Sequence, residues 1–395
     1  MNRDLRIALL SPEFPPSSIG GIATVCNDLA WNLSKKRVST TVFCGRSNKM
    51  SIEHLNSYLK VVRLPLLDAP PRHVWFQLQN FGLFRNLLSE YDVVHGADVR
   101  SSAFLAFQKR RLKRPFVTHV HGCHHCEASV FLHSPVSYWS PGDFLFTILE
   151  FPMNDFLARL ALNHSCHAVV CSKNRLHEMK KFNSNLDFGK VSVIYNGIDF
   201  EKINSESKFV DEQDCSILYW GRLYYNKGIM QLINAMALVK NEFPLFSLDI
   251  CGKGPLEARI RSLVKKLGLS DNIRISGYVS NKGLIEKIRK ATLVVLPSLY
   301  EGQPMAALEA MAYKKPVIMY DFPFAREYVT DWHNGLMAKG GDVDDLANRI
   351  CAALSDKKLR LRLGRNAYER VRRDHNWDTL IYKYINMYSC LMEQN

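Results

Sequence analysis

The sequence predicts an α/β protein built from two Rossmann-like, doubly wound domains. At 395 residues the chain has room for two domains of ordinary size. Short apolar runs, of the kind buried on both faces of a parallel sheet, alternate with helical stretches along its length. The strand, glycine-bearing loop and helix that open such a domain occur at Leu5–Lys36 and recur from Ser216.

Leu5–Leu10 reads as the first strand, and MNRDLRIALLSPEF has too short an apolar run for a signal peptide. The loop Ser11–Ile22 holds Pro12, Pro15, Pro16 and the pair Gly20–Gly21, before a helix from about Ala23 to Lys36. No third glycine follows at dinucleotide-fingerprint spacing, so Gly21 is a candidate for close backbone approach to a ligand or simply part of a turn. Further strands are expected at Ser39–Cys44, Lys60–Leu64, Val93–His95, Phe116–Val120, His167–Cys171 and Val191–Tyr195. The aromatic stretches Arg72–Leu88 and Phe131–Pro152 break the alternation. They fit insertions near a binding mouth or membrane surface, and equally well aromatic core. His119, His121, Cys123, His124, His125 and Cys126 have metal-ligand chemistry, but no second ligand pair follows at finger-like spacing. The other functional reading places His121 at a strand's carboxyl end, where open α/β sheets bind ligands.

Residues 200–214 read as a polar linker. The second half then runs through strands at Ser216–Trp220, Ser247–Cys251, Ile273–Ser276, Ala291–Leu296 and Pro316–Tyr320. Arg222 and Lys227 follow the first of these, a guanidinium fork and an ammonium suited to clamping a diphosphate. Helices are expected at Ile229–Lys240, Leu256–Leu267, Lys282–Lys290, Val343–Leu354, Asp356–Arg372 and Trp377–Met392. The stretch around which this half is organised is Leu296–Ala312. Pro297 ends a buried strand, Ser298–Gln303 forms a loop with Glu301 and Gly302, and Pro304 opens a helix over Met305–Met311. The amides of Met305, Ala306 and Ala307 sit at the positive end of that helix, an anion site bracketed by Glu301 and Glu309. Such a site suits a ligand with both phosphate and hydroxyls, such as a nucleotide sugar. An ordinary strand–loop–helix with two solvated glutamates has the same spacing.

Hydrophobic content of 47% with 23% charged residues is that of a soluble globular chain, and no run reaches the ~18 apolar residues of a spanning helix. Ten scattered cysteines point to thiols in a cytoplasmic setting. The net charge of +14 is clumped in Lys109–Arg114 and Lys357–Arg373. No nucleic-acid-binding module accompanies it, so no nucleic-acid partner is expected; phosphates and peripheral contact with an anionic membrane are.

Together these pieces resemble the retaining glycosyltransferases of the GT-B fold, family four (glycosyl transferases group 1). The resemblance rests on Gly20–Gly21, His121, Gly221-Arg222-Leu223 with Lys227-Gly228, Cys251-Gly252-Lys253-Gly254-Pro255 and Gly277-Tyr278-Val279. Above all it rests on Pro297–Gly302 through Glu309-Ala310-Met311. It is dense over about 190–355 and sparser before. It implies two Rossmann-like domains facing a central cleft. Residues 1–198, joined by the final helix at about 376–395, would receive the acceptor, and 199–375 would hold the donor.

The resemblance also implies roles. Arg222 and Lys227 would stabilise the departing diphosphate, Glu301 would hold a sugar hydroxyl and Glu309 the ribose. Gly302, Gln303, Met305 and Ala306 would contact sugar or phosphate, with Gly21 and Gly252 also lining the donor. Tyr278 and Val279 would line the base, and His121 would touch the sugar or take part in catalysis. No nucleophilic carboxylate stands out, and no Asp-x-Asp pair suited to a catalytic divalent metal appears. The implied reaction is therefore same-face transfer from a nucleotide sugar to a glycan or lipid-linked acceptor, with no metal or other cofactor. The sequence departs from the family pattern at Lys314 and at Phe322–Arg326. A nucleotide-sugar epimerase on the same fold and a non-catalytic nucleotide-sugar-binding scaffold are the alternatives.

Overall fold

Two parallel sheets organise the chain, one in each half. The computed structural model describes residues 5–16, 21–46, 50–67, 72–112, 114–135, 139, 151–183, 185–205 and 214–394. The chain divides into two compact units: Met1–His125, Leu145–Gly197 and Trp377–Asn395 in the first, Cys126–Phe144 and Ile198–Asn376 in the second. Most of Phe131–Pro152, together with Gly20, lies outside the described residues.

In the first unit the strands are β1 (Arg6–Ser11), β2 (Ser39–Arg46), β3 (Ser51–Asn56), β4 (Leu59–Pro65), β5 (Val93–Gly96), β6 (Phe116–Val120), β7 (His167–Val170) and β8 (Val191–Val193). They lie in the order β3-β4-β2-β1-β5-β6-β7-β8. Every pairing is parallel except β3 with β4. The helices are α1 (Gly21–Lys35), α2 (Arg72–Leu87), α3 (Val99–Leu112), α4 (His124–Leu132), which continues past the division, α5 (Phe151–His164) and α6 (Lys173–Phe182). Gly21 heads α1 rather than lying in the preceding loop, two residues earlier than the sequence pattern implies. β1 is buried from Ile7 onward, as its unbroken apolar run requires. Part of the aromatic stretch at 72–87 is core: Phe76 and Phe84 are fully buried and Phe43 meets Phe84 edge-on, while Leu78 and Phe81 stay exposed.

The second unit holds α7 (Phe200–Ser205), β9 (Ser216–Trp220), α8 (Ile229–Val239), β10 (Ser247–Cys251), α9 (Glu257–Lys266), β11 (Ile273–Gly277) and α10 (Asn281–Lys290). These are followed by β12 (Leu293–Leu296), α11 (Met305–Ala312), β13 (Val317–Asp321), α12 (Pro323–Arg326), β14 (Leu336–Lys339), α13 (Val343–Ser355) and α14 (Lys357–Asp374). Its sheet runs β11-β10-β9-β12-β13-β14, all parallel. The order reverses between β9 and β12, the switch point at which such sheets bind ligands. Pro304 is the N-cap of α11 and not its first residue. Lys314, where the family pattern has a small residue, takes a left-handed φ of 59° and lays its ammonium 4.8 Å from the Tyr368 ring centroid. Asp342 and Asp344, an x-spaced pair that follows β14, stand at a helix cap: Asp342 accepts from the amides of Asp344 and Asp345.

The last helix, α15 (Trp377–Glu393), belongs to the first unit. Trp377, Leu380, Ile381, Tyr384, Tyr388 and Leu391 join one core with Leu29 and Leu33 of α1 and with Ile7, Leu9 and Val42 of the sheet. Trp377 presses on Gly197, where an added Cβ would stand 2.7 Å from the indole. Trp377→Ala is expected to destabilise this unit by about 3–5 kcal/mol, through lost burial and the cavity left behind. Urea unfolding read by circular dichroism checks this. No described helix is long and apolar enough to cross a membrane.

Candidate active site

In the second unit the carboxyl ends of β9 and β12 bring two loops together. Gly228 makes the approach possible: its φ of 66° is left-handed, and a Cβ there would lie 1.8 Å from the Pro297 carbonyl oxygen. The Leu299 amide also donates to the Asn226 carbonyl, 2.8 Å away. This apposition sets Lys227 Nζ 2.5 Å from Glu301 Oε1, with side chains only 15% and 21% exposed. Ser298 Oγ donates to the same oxygen at 2.9 Å. Glu301 is therefore held in place by an ammonium and a hydroxyl before any ligand arrives.

Glu309, two turns into α11 at most, is held from the neighbouring strand: Trp220 Nε1 donates to its Oε2 at 3.3 Å. Gln303 is buried, with Nε2 3.5 Å from His375 Nδ1. The amide of Met305 donates to the Gln303 carbonyl, so it is not one of the open donors that the helix start provides by count alone. Gly302, Met305 and Ala306 line the same loop and helix start, each half-buried. Arg222 is exposed just past β9, its guanidinium 5.0 Å from the Tyr224 ring centroid. Gly252, after β10, has a φ of +150°, and a Cβ there would meet the Gly221 carbonyl at 1.8 Å. Its amide donates to the Gly277 carbonyl at the end of β11, where Tyr278 is exposed and Val279 half-buried.

The carboxyl edge of one sheet thus carries Arg222, Lys227, Gly252, Tyr278, Val279, Glu301, Gly302, Gln303, Met305, Ala306 and Glu309. Cations, amides and two positioned carboxylates together can hold a diphosphate and its attached hydroxyls. His121 and Gly21 belong to the other unit. An added Cβ on Gly21 would meet nothing within 4 Å. His121 Nε2 lies 2.8 Å from the Ala97 carbonyl, its ring stacks on His119, and desolvation lowers its pKa. The ring is therefore anchored at the end of the strand rather than projecting freely from it.

Family comparison agrees with this geometry. The family "Glycosyl transferases group 1" matches residues 200–370, and "Glycosyltransferase Family 4" matches residues 19–202. The chain belongs to the family-four glycosyltransferases of the GT-B fold. The glycosyltransferase is 27% identical to an uncharacterized glycosyltransferase of Methanocaldococcus jannaschii, over 98% of this chain and 99% of that one. It is 29% identical to the putative glycosyltransferase EpsD of Bacillus subtilis, over 84% and 88%. Among solved structures, sucrose-phosphate synthase from Thermosynechococcus elongatus matches with a TM-score of 0.79 at 20% identity, over 99% of this chain and 100% of that one. Anabaena HepE, solved with UDP and glucose, matches with a TM-score of 0.72 at 17% identity, over 98% and 99%.

The sequence assigns no role to Ser298, Trp220 or His375. Trp220 and His375 reach Glu309 and Gln303 across 89 and 72 positions, so only the folded sheet reveals them; Ser298 stands inside the Pro297–Gly302 motif, three residues from Glu301. Ser298→Ala in this glycosyltransferase is expected to lower kcat on the order of tenfold by loosening Glu301, since misplacement of a positioned group costs rate steeply. Steady-state kinetics with the fold monitored by thermal melting checks it.

Proposed function

We propose that the protein is a retaining glycosyltransferase that moves a sugar from a nucleotide diphosphate to a hydroxyl of a glycan or lipid-linked acceptor. The observation that carries the reading is the Lys227–Glu301–Ser298 cluster at the switch point of the second sheet. In this reading the second unit holds the donor and the first receives the acceptor. Arg222 and Lys227 meet the diphosphate, whose negative charge grows as the glycosyl–phosphate bond breaks, and fixed cations lower the barrier where charge develops. Glu301 holds a sugar hydroxyl and Glu309 the ribose. His121 contacts a hydroxyl of the sugar.

A carboxylate already bonded to an ammonium and a hydroxyl is a weak nucleophile, which favours same-face displacement over a covalent glycosyl intermediate. The acceptor oxygen forms the new bond to the anomeric carbon, the sugar–phosphate bond breaks, and the acceptor proton passes to the leaving diphosphate. Two fixed cations at the diphosphate support transfer without a metal. HepE's complexes with UDP make a uridine diphosphate sugar the first donor to try. Ten cysteines present as thiols support a cytoplasmic setting. Exposed Leu78, Phe81, Phe107 and Phe156, with the basic run Lys109–Arg114 in the same unit, support peripheral contact with an anionic membrane.

The anomeric configuration of the product, read by proton NMR, tests the mechanism. The donor's configuration should be kept; inversion would contradict the same-face displacement.

A further inference from the structure

The first unit contains a column of imidazole and phenol rings that the reaction as described leaves unused. β5 and β6 are adjacent and parallel, with His95 opposite Val117 and Gly96 opposite Thr118. This register brings His95, His119 and His121 into one line at the carboxyl edge of the sheet. His119 and His121 are stacked, with ring centroids 4.0 Å apart and planes 28° from parallel. His95 lies behind His119, centroids 5.5 Å apart. The C-terminal helix closes the column: Tyr388 Oη is 2.5 Å from His95 Nδ1, and the Tyr384 ring is 6.2 Å from His119. His95, Tyr384 and Tyr388 are fully buried and His119 is 1% exposed.

His121 has two restraints of different kinds. A carbonyl can only accept, so the contact to Ala97 makes Nε2 the protonated nitrogen and leaves Nδ1 as the acceptor in the neutral ring. One hydrogen bond fixes one edge and leaves the ring free to swing about it. The flat face of His119 removes that freedom. Packing in a close-packed interior transmits such restraint, because neighbouring rings have no room to tilt independently.

We propose that His119, backed by His95 and by Tyr384 and Tyr388 of the C-terminal helix, is a positioning residue that fixes the ring plane of His121 so that its Nδ1 accepts a hydrogen bond from a sugar hydroxyl. The proposal rests on the reading that His121 contacts the sugar, and its test separates the two.

In the full-length protein, His119→Leu removes the flat face while keeping apolar bulk, and His119→Phe keeps the face. Nitrogen–proton NMR of histidine-labelled protein without ligand reports the His121 tautomer directly. The Nε2–H form should persist in all three proteins, and the His121 ring signals should broaden by exchange between ring orientations in His119→Leu alone. With a nucleotide sugar that the wild-type enzyme turns over, His119→Leu should lower kcat on the order of tenfold with donor KM unchanged, and His119→Phe should recover most of it. Adding His119→Leu to His121→Ala should cause no further loss, because the two act through one ring. If His119→Leu fails to fold, Tyr388→Phe carries the same comparison, with a smaller shift in the same direction. Sharp, unexchanging His121 ring signals and unchanged kcat in His119→Leu, or fully multiplicative losses in the double variant, would overturn the proposal. Full activity in His121→Ala would instead remove His121 from the reaction, and the exchange broadening of the His121 ring signals would still decide whether His119 fixes its ring.

Discussion

Lys227→Ala is expected to lower turnover on the order of 10²–10³-fold, about 3–4 kcal/mol of lost transition-state stabilisation, while leaving the fold intact. The ammonium sits in the loop after β9, with Glu301 Oε1 2.5 Å away. Removing it takes away a cation at the site where the leaving diphosphate accumulates charge. It also leaves Glu301 anchored by Ser298 alone among the contacts described above. Glu301→Ala should fall in the same range, since it removes the acceptor for a sugar hydroxyl and frees Lys227 from its fixed orientation. Both side chains lie at the rim of the unit rather than in its core, so circular dichroism and the melting temperature should stay near wild type. Steady-state kinetics of both variants checks the pair; unchanged turnover in both would remove the cluster from the reaction.

The second large effect concerns acid. The His95 pKa is pushed down from 6.5 to about 3, chiefly by burial, and burial also holds His119 well below its ordinary value. His124 is lowered to about 4 by burial, with Arg100 and Arg175 adding to the effect, and His121 is lowered by burial. The sign follows from proton uptake. Above pH 6.5 neither folded nor unfolded chain protonates these rings, and their contribution to stability is fully present. As pH falls below that value the unfolded chain takes up protons that the folded unit refuses, so stability is lost progressively down to the folded pKa values. Each such ring steepens the loss by about 1.4 kcal/mol per pH unit at full slope. Urea unfolding is therefore expected to show a plateau above about pH 7 and a steep decline below pH 6, and His119→Phe should make that decline shallower. Stability that stayed level to pH 4 would contradict the burial of these rings in neutral form.

Most of the framework of the second unit could be read from the chain because β9, β12 and β13 are apolar nearly throughout and β9, β10 and β12 run straight into glycine or proline. Ser216–Trp220 and Ser247–Cys251 have the same limits in sequence and structure. Two strands escaped. β3 is an edge strand, antiparallel to β4, with side chains exposed or half-buried throughout, so SIEHLN carries neither an apolar run nor clean alternation. β14 is four residues long, and its burial comes from β13 and α13 rather than from local pattern. The candidate site divides in the same way. Glu301, Glu309, Lys227 and Arg222 stand in motifs whose spacing names them. The Trp220–Glu309 hydrogen bond joins residues 89 apart in the chain, and the ring column under His121 joins β5, β6 and the C-terminal helix. Contacts of that range leave no local periodicity. In the run HVHGCHHC, alternation along β6 turns His119 into the core and brings His121 onto its face, while the thiols of Cys123 and Cys126 lie within 4.8 Å of each other and of a Glu178 carboxylate oxygen.

Nucleoside diphosphate release reads whether the Lys227–Glu301 edge of the second sheet binds and activates a nucleotide sugar. Wild type, Lys227→Ala and Glu301→Ala would be compared across a panel of nucleotide sugars in the presence of glycan and lipid-linked acceptors, with product mass recorded. Wild type is expected to release nucleoside diphosphate from at least one donor with a matching gain of one sugar on an acceptor, and both variants to lose this release. Release that persisted undiminished in both variants, or a wild type that neither bound nor consumed any donor in the panel, would contradict it.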